Sequence, residues 1–496
     1  MIALQIRRTL AAALGALVLV LGLPASGQAR PAPEEYAGIN IQKLIFGFAP
    51  TSWFGHFNAM ERAGIQLVRF DALWQRIEPN PPQDGEHVYH WDRFDPIIGE
   101  LAKRGIRWLP AVEYATKWSA TSTAHYAAPP RDPAVYGEFA GAVARRYGAN
   151  GSYWRENPEI PALPVTDYEI WNAPNNAAHY YPRPDPAHYA DMFLAAREAI
   201  RAADPGADVW VGGLAGVDAA DFVRRMFAAR PALHGKVDAV AIHPYAFDAD
   251  AATRMIVELR NTLDRLGEAR AGIPVTEVGW HTVGDGPGRR ISDGQRAGYL
   301  AALTERLARS DCGVWTFMPH TWSTKEQNTL SGGEWYGLWS PADATPNASG
   351  RAYEATVRRF ARARSADLPL CDRPLGVEAS SSSRASTRVV RRRSSRTGRS
   401  ARVRRRYRRS CNEATVTVSS APLPGATVKF RYYERRGRKR RWRTVMRTTE
   451  ENGVAYVCRS RPAGRRAGRP LHLRRVTASH PDLVHGAVTV SRLRLP

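Results

Sequence analysis

Past its first thirty residues this 496-residue chain has no apolar run approaching the ~20 residues that a membrane-spanning helix needs. No Gly-x-Gly-x-x-Gly turn follows its first predicted strand, which removes the main support for a dinucleotide-binding open sheet. Only four cysteines occur, with no Cys-x-x-Cys pair and no histidines at ligand spacing, so nothing points to a metal site, and no cofactor is called for. Acidic residues are scarce in the last quarter. Residues 372–496 hold 33 Lys+Arg against 7 Asp+Glu, a net of +26. Of the whole chain's 71 basic and 47 acidic residues, that leaves 38 and 40 before position 372, a net of −2. The first part has the charge balance of an ordinary globular protein, and the tail alone is basic.

The N-terminus carries Arg7 and Arg8, the apolar run Leu10–Leu23, and then Pro24-Ala25-Ser26-Gly27-Gln28-Ala29. A basic start, an apolar centre and small residues suited to cleavage read as a secretory signal peptide over residues 1–29. The protein is therefore expected to be secreted, and cysteines in an exported chain are expected as disulfides. Three pairings are possible. The sequential one, Cys312–Cys371 and Cys411–Cys458, keeps each bridge inside one domain and is favoured.

From Leu44 onward, apolar strand-like runs alternate with amphipathic helical ones. The predicted strands are Leu44–Phe48, Leu67–Phe70, Arg107–Val112, Asp167–Trp171, Asp208–Gly212, Ala239–His243, Pro274–Glu277 and Gly313–Met318. Helical patterns such as Pro133–Tyr147, Pro186–Ala203 and Ser292–Ser310 lie between them, and Arg351–Ala363 follows the last. Eight such units fit an α/β (β/α)8 TIM barrel over residues 36–371. Residues 372–410 read as an Arg/Ser-rich disordered linker. Residues 411–496 carry short alternating runs broken by Pro424-Gly425 and Asn452-Gly453, which suggests a small all-β Ig-like sandwich.

Two stretches carry the chemistry. Asp167-Tyr168-Glu169-Ile170-Trp171-Asn172-Ala173-Pro174 ends the fourth predicted strand, and Pro274-Val275-Thr276-Glu277-Val278-Gly279-Trp280 ends the seventh. Barrel enzymes place reacting groups at the C-terminal ends of strands. Glu277 alone reads equally well as a strand-end cap, and the stretch around Asn172 shifts the balance. Trp53, Trp74, Trp118, Trp280, Trp315 and Trp322 divide between packing and ring faces for sugars.

Together these residues resemble the clan of retaining glycoside hydrolases that includes families 5 and 39, whose acid/base lies in a Trp-Asn-Glu-Pro strand end and whose nucleophile lies on the seventh strand. Val68-Arg69-Phe70, Ala241-Ile242-His243-Pro244-Tyr245 and the pair Trp315 and Trp322 match further motifs of the clan in order. The run Gly64–Arg69, with Trp74, Ile77-Glu78-Pro79 and Trp91, is most similar to family 39 and its neighbouring branches. The resemblance covers roughly residues 40–365. It implies that Glu277 is the nucleophile, that Arg69 and Tyr245 keep it ionised, and that Asn172 bonds the sugar 2-hydroxyl. It further implies that His243, Trp280, Trp315 and Trp322 line the substrate site.

A retaining mechanism needs a second carboxyl group about 5–5.5 Å from the first. The motif puts it at position 173, which is Ala173. Losing general acid catalysis costs ~10²–10⁴-fold, or about 3–5 kcal/mol of barrier. Glu169 lies about 13 Å deeper on the same strand and reads as structural. Glu113, just past the third strand, is the better substitute, while His125 and Glu334 lie on long loops. The expected ligand is a carbohydrate, and catalytic impairment or a glycan-binding pseudoenzyme are both open. For the basic tail of an exported protein, anionic polymers of a cell envelope are the expected partners, ahead of nucleic acid.

Overall fold

The computed structural model describes residues 36–285, 290–360, 367–373, 375–393, 400–418, 421–436, 439–462, 472–480 and 483–488. The predicted signal peptide lies outside them. Among the described residues no helix is long and apolar enough to cross a membrane.

Six parallel strands form one curved sheet in sequential order: β1 Gly38–Asn40, β2 Leu67–Leu73, β3 Arg107–Glu113, β4 Asp167–Asn172, β5 Asp208–Ala215 and β6 Ala239–His243. Two further segments close the gap between β6 and β1. Ile242 donates its N–H to Pro274 O, Val275 to Thr316 O, Met318 to Val275 O and Gly38 to Phe317 O, all at 2.8–3.1 Å. Parallel bridges at Ile242–Val275, Val275–Phe317 and Ala37–Phe317 complete the circle. Pro274 and Pro319 each withhold an N–H from this seam, so the seventh and eighth runs are bridged segments instead of regular strands. The architecture is a (β/α)8 barrel.

Helices cover the outside, and several start where the sequence signals a cap. Asp132, Asp185, Asp248 and Ser292 accept backbone N–H groups at the N-termini of Pro133–Tyr147, Pro186–Ala203, Ala249–Arg265 and Asp293–Arg309, satisfying donors that the helix itself leaves open. The first predicted strand is a correction: Leu44–Phe48 falls mainly in a helix, Gln42–Gly47, and the strand is the three-residue β1 before it. A short apolar run has too few residues for its period to tell strand from helix.

Period-2 alternation on β2 builds the interior. Val68, Phe70 and Ala72 pack outward into the main core, while Leu67 joins Leu109, Trp210, Ala239, Met318 and Trp315 in a separate apolar floor. Arg69 and Asp71, on the same side as Leu67, stack above that floor toward the C-terminal mouth.

The C-terminal part is a sandwich of two antiparallel sheets. One contains β7 Leu375–Arg393, β8 Ser400–Val418 and β12 Val454–Pro462; the other contains β10 Thr427–Arg436, β11 Lys439–Thr448, β13 His472–His480 and β14 Leu483–Val488, and the short β9 Ala421–Pro422 pairs with β8. Val377, Val416 and Val457 of the first sheet meet Phe430, Tyr432 and Val476 of the second. The expected disordered linker is a second correction, because β7 and the start of β8 occupy most of 372–410 as an antiparallel pair. Composition reports the lack of apolar side chains there, but backbone pairing needs none. Disulfides join Cys312 to Cys371 and Cys411 to Cys458. Arg373 ties the two parts together: it donates to Asp264 Oδ2 and to Ala269 O, and Ala269 packs into the sandwich core. This junction lies at the N-terminal ends of the barrel strands, opposite the mouth.

Candidate active site

The guanidinium of Arg69 is the hub of the mouth. Nη2 donates to Glu169 Oε1 at 2.6 Å and to Asn172 Oδ1 at 2.9 Å, Nε reaches both Glu169 oxygens at 3.2 Å, and Nη1 donates to Glu277 Oε1 at 2.9 Å. Arg69 and Glu169 are fully buried. Glu169 also accepts the Gly213 N–H at 3.1 Å, so it is the structural carboxylate that its depth implied. A Cβ on Gly213 would stand 1.9 Å from His243 Nε2; only glycine lets that imidazole lie against β5.

Glu277 keeps 13 % of its side chain exposed, enough to meet a ligand. Its Oε1 also faces Asn40 Nδ2 at 3.3 Å. Its Oε2 accepts the Tyr245 hydroxyl at 2.8 Å, with His320 Nδ1 at 3.6 Å and His243 Nδ1 at 3.9 Å. Burial pushes this carboxyl up, and His243, His320, Arg69 and the Tyr245 hydroxyl together hold it well below the usual carboxylate range. Burial also drives His243 down to about 4. Near neutral pH that imidazole is uncharged, and the guanidinium and hydroxyl do the holding.

Beside this cluster, Asp71 and Glu113 are fully buried. Burial raises both carboxyls; Asp71 pushes Glu113 up further, while Arg69 and the contact with Glu113 pull Asp71 partly back down. Among the described residues no N–H or hydroxyl donor reaches Glu113 Oε1 or Oε2 or Asp71 Oδ1, and a proton shared between the two acids would satisfy them. Glu113 is thus not an acid open to the cleft, which corrects the sequence expectation. The strand end aims it inward, and only tertiary packing decides how deep it sits.

The structure brings Arg69, Asn172, His243, Tyr245 and Glu277 together as the motifs implied. The three tryptophans differ. Trp280 and Trp322 are fully buried; Trp280 Nε1 donates to Ala246 O at 2.7 Å, and Trp322 stacks on Trp339 at 3.9 Å. Trp315 packs on Trp210 in the floor. None presents a face to the mouth. His125 stacks on Tyr181 at 4.9 Å, and Glu334 accepts the N–H groups of Gln327 and Asn328 to hold a turn. Ala173 sits at φ 45° with its N–H on Gly213 O at 3.0 Å, and its methyl offers no proton. Sequence reasoning missed Asn40, Tyr114, His179 and His320. Asn40 was hidden by the misplaced first strand, and the others lie at or beyond strand ends where no pattern marks them.

No protein-family model matches the chain, and no curated protein matches its sequence. Solved structures do. A GH39 β-xylosidase from Caulobacter crescentus superposes with a TM-score of 0.52 at 17% identity, covering 82% of this chain and 84% of that one. A GH39 enzyme from Xanthomonas axonopodis pv. citri gives 0.52 at 15%, covering 88% and 94%. The chain shares its fold with these family 39 glycoside hydrolases. A family 39 glycoside hydrolase from Bacteroides cellulosilyticus aligns as well, with a TM-score of 0.50 at 15% identity over 86% of this chain and 82% of its own. At such identities the likeness shows the (β/α)8 barrel fold alone and leaves the chemistry to the residues themselves.

Proposed function

We propose that the protein is an exported retaining glycosidase-like enzyme that acts on O-glycosidic bonds of an oligo- or polysaccharide, with Glu277 as the nucleophile. One observation carries this reading: a partly exposed carboxylate at the barrel mouth, ionised by a buried guanidinium and oriented by a tyrosine hydroxyl. A carboxylate kept free of its proton can attack an anomeric carbon. Burial strengthens every charge interaction around it. Asn172, held by Arg69, is placed to bond a sugar hydroxyl. Export rests on the signal-like N-terminus and is in keeping with two disulfides.

Incubation with 2,4-dinitrophenyl 2-deoxy-2-fluoro-glycosides tests the reading. The expected result is a covalent adduct located on Glu277 by peptide mass spectrometry and absent from Glu277→Gln. No adduct from the β-xylosyl, β-glucosyl or α-arabinosyl reagent refutes it. Ala173 favours a second reading, a glycan-binding pseudoenzyme, for which oligosaccharides would bind without any adduct forming. The basic sandwich serves retention on anionic envelope polymers in this account. Lys429, Arg431 and Arg475 lie exposed beside Trp442 on one sheet face, and Arg431 stands over the Trp442 ring.

A further inference from the structure

The empty position at 173 raises the question of which group near Asn172 could give a proton to a leaving oxygen. Glu169 is engaged by Arg69, and Glu113 and Asp71 are sealed in the wall. His125 stacks on Tyr181 at 4.9 Å on the loop after β3, and among the described residues it makes no hydrogen bond to Asn172. One residue remains. His179 follows β4 on the same loop as Ala173, and its backbone is pinned twice. Its carbonyl accepts Trp171 Nε1–H at 2.7 Å and its N–H donates to Asn176 O at 2.9 Å. The imidazole Nδ1 lies 3.1 Å from the Tyr114 hydroxyl and 3.4 Å from Asn172 Nδ2. The side chain is half-buried, and among the described residues no hydrogen-bond partner holds Nε2. A ring fixed at one nitrogen and open at the other is the arrangement of a general acid–base histidine.

We propose that His179 is the proton donor and acceptor of this site, standing in for the carboxyl that Ala173 lacks; the proposal rests on Glu277 being the nucleophile. In the first step the imidazolium donates Nδ1–H to the Tyr114 hydroxyl and Nε2–H to the glycosidic oxygen. A Glu277 oxygen bonds the anomeric carbon, the bond to the leaving oxygen breaks with its electron pair, and the alcohol departs with the proton from Nε2. The neutral ring then takes a proton from water. The resulting hydroxyl bonds the anomeric carbon, and the ester to Glu277 breaks to return the carboxylate. Charge and protons balance over the cycle.

The groups facing this ring set its pH range. Tyr114 and His125 come from the end of β3 and its loop, Arg69 from β2, Asn172 from β4 and Glu277 from the seventh segment. Burial lowers its pKa below the ordinary 6.5, Glu277 opposes this, and Arg69 and His125 add to it. Turnover that needs the imidazolium therefore declines from mildly acidic pH upward.

The test uses the full-length protein with paired phenyl and 2,4-dinitrophenyl glycosides of β-xylose, β-glucose and α-arabinofuranose. The second leaving group departs without a proton, so it isolates the role of the acid. His179→Ala is expected to lower kcat/KM by ~10²-fold or more on the phenyl glycoside. On the dinitrophenyl glycoside the change is expected to stay under ~10-fold, because no proton need be given. That retained activity also shows that the variant folds. Azide should accelerate the variant on the dinitrophenyl substrate and yield the glycosyl azide of retained configuration. His179→Asn, which can still bond Tyr114 but cannot transfer a proton, should behave like His179→Ala. Equal losses on both substrates, no loss on either, or recovery in His179→Asn would overturn the proposal while leaving Glu277 in place. A wild-type protein inert to every dinitrophenyl glycoside and unlabelled by the fluoro-sugars overturns the underlying reading and this proposal together.

Discussion

Replacing Arg69 by Met tests the physical core of the site without reference to any substrate. The guanidinium makes three contacts to Glu169 at 2.6–3.2 Å, one to Glu277 at 2.9 Å and one to Asn172 at 2.9 Å. Methionine fills similar volume but leaves two buried carboxylates with no cation. Breaking a buried pair in this way costs ~3–5 kcal/mol, a large share of the roughly 5–15 kcal/mol that holds a domain folded. For a barrel of this size, that corresponds to a drop in Tm on the order of 5 °C. Adding Glu169→Gln removes one orphaned charge, so the double variant should be more stable than the sum of the two losses by ~1–3 kcal/mol. Urea unfolding followed by tryptophan fluorescence, with calorimetry as a second probe, reads both quantities. A loss below ~1 kcal/mol for Arg69→Met, or strict additivity in the double variant, would refute the claim that this guanidinium holds two buried charges.

Three further outcomes follow from the same geometry. Burial raises the Asp71 carboxyl, so the folded state keeps a proton that the unfolded chain has released; stability should fall as pH rises from the ordinary carboxylate range toward neutrality. Asp71→Asn should flatten that fall between about pH 4 and about pH 7, and an unchanged slope in denaturation curves would contradict the shared proton. In a His179→Ala background, Ala173→Glu should recover ~10²-fold or more on phenyl glycosides; no recovery would mean that the left-handed backbone at Ala173 (φ 45°) does not aim a carboxyl into the cleft. Arg431→Glu with Arg475→Glu should elute from an immobilised polyanion at lower salt than the wild type, and unchanged elution would remove this sheet face as the retention surface.

The sequence alone determined the class of fold and most of the strand ends that form the candidate site. Period-2 runs alternating with capped amphipathic helices specify a barrel, because each element must bury one face against its neighbours. That placed Arg69, Asn172, His243, Tyr245 and Glu277 at strand ends, where a barrel gathers side chains from distant parts of the chain. Cysteine spacing, taken with the domain boundary, sufficed for the disulfides. Tertiary structure alone decided the rest. Whether Glu113 is an open acid or half of a sealed pair depends on depth, and neighbours on other strands set that depth. Trp280, Trp315 and Trp322 have the same character in sequence whether they stack on sugars or on one another, since the hydrophobic gain is non-directional. The first strand was misread because three residues carry no period, and its loss hid Asn40. His179 is one residue of a polar loop, and it joins the site only because Trp171, Asn176 and Tyr114 hold it there.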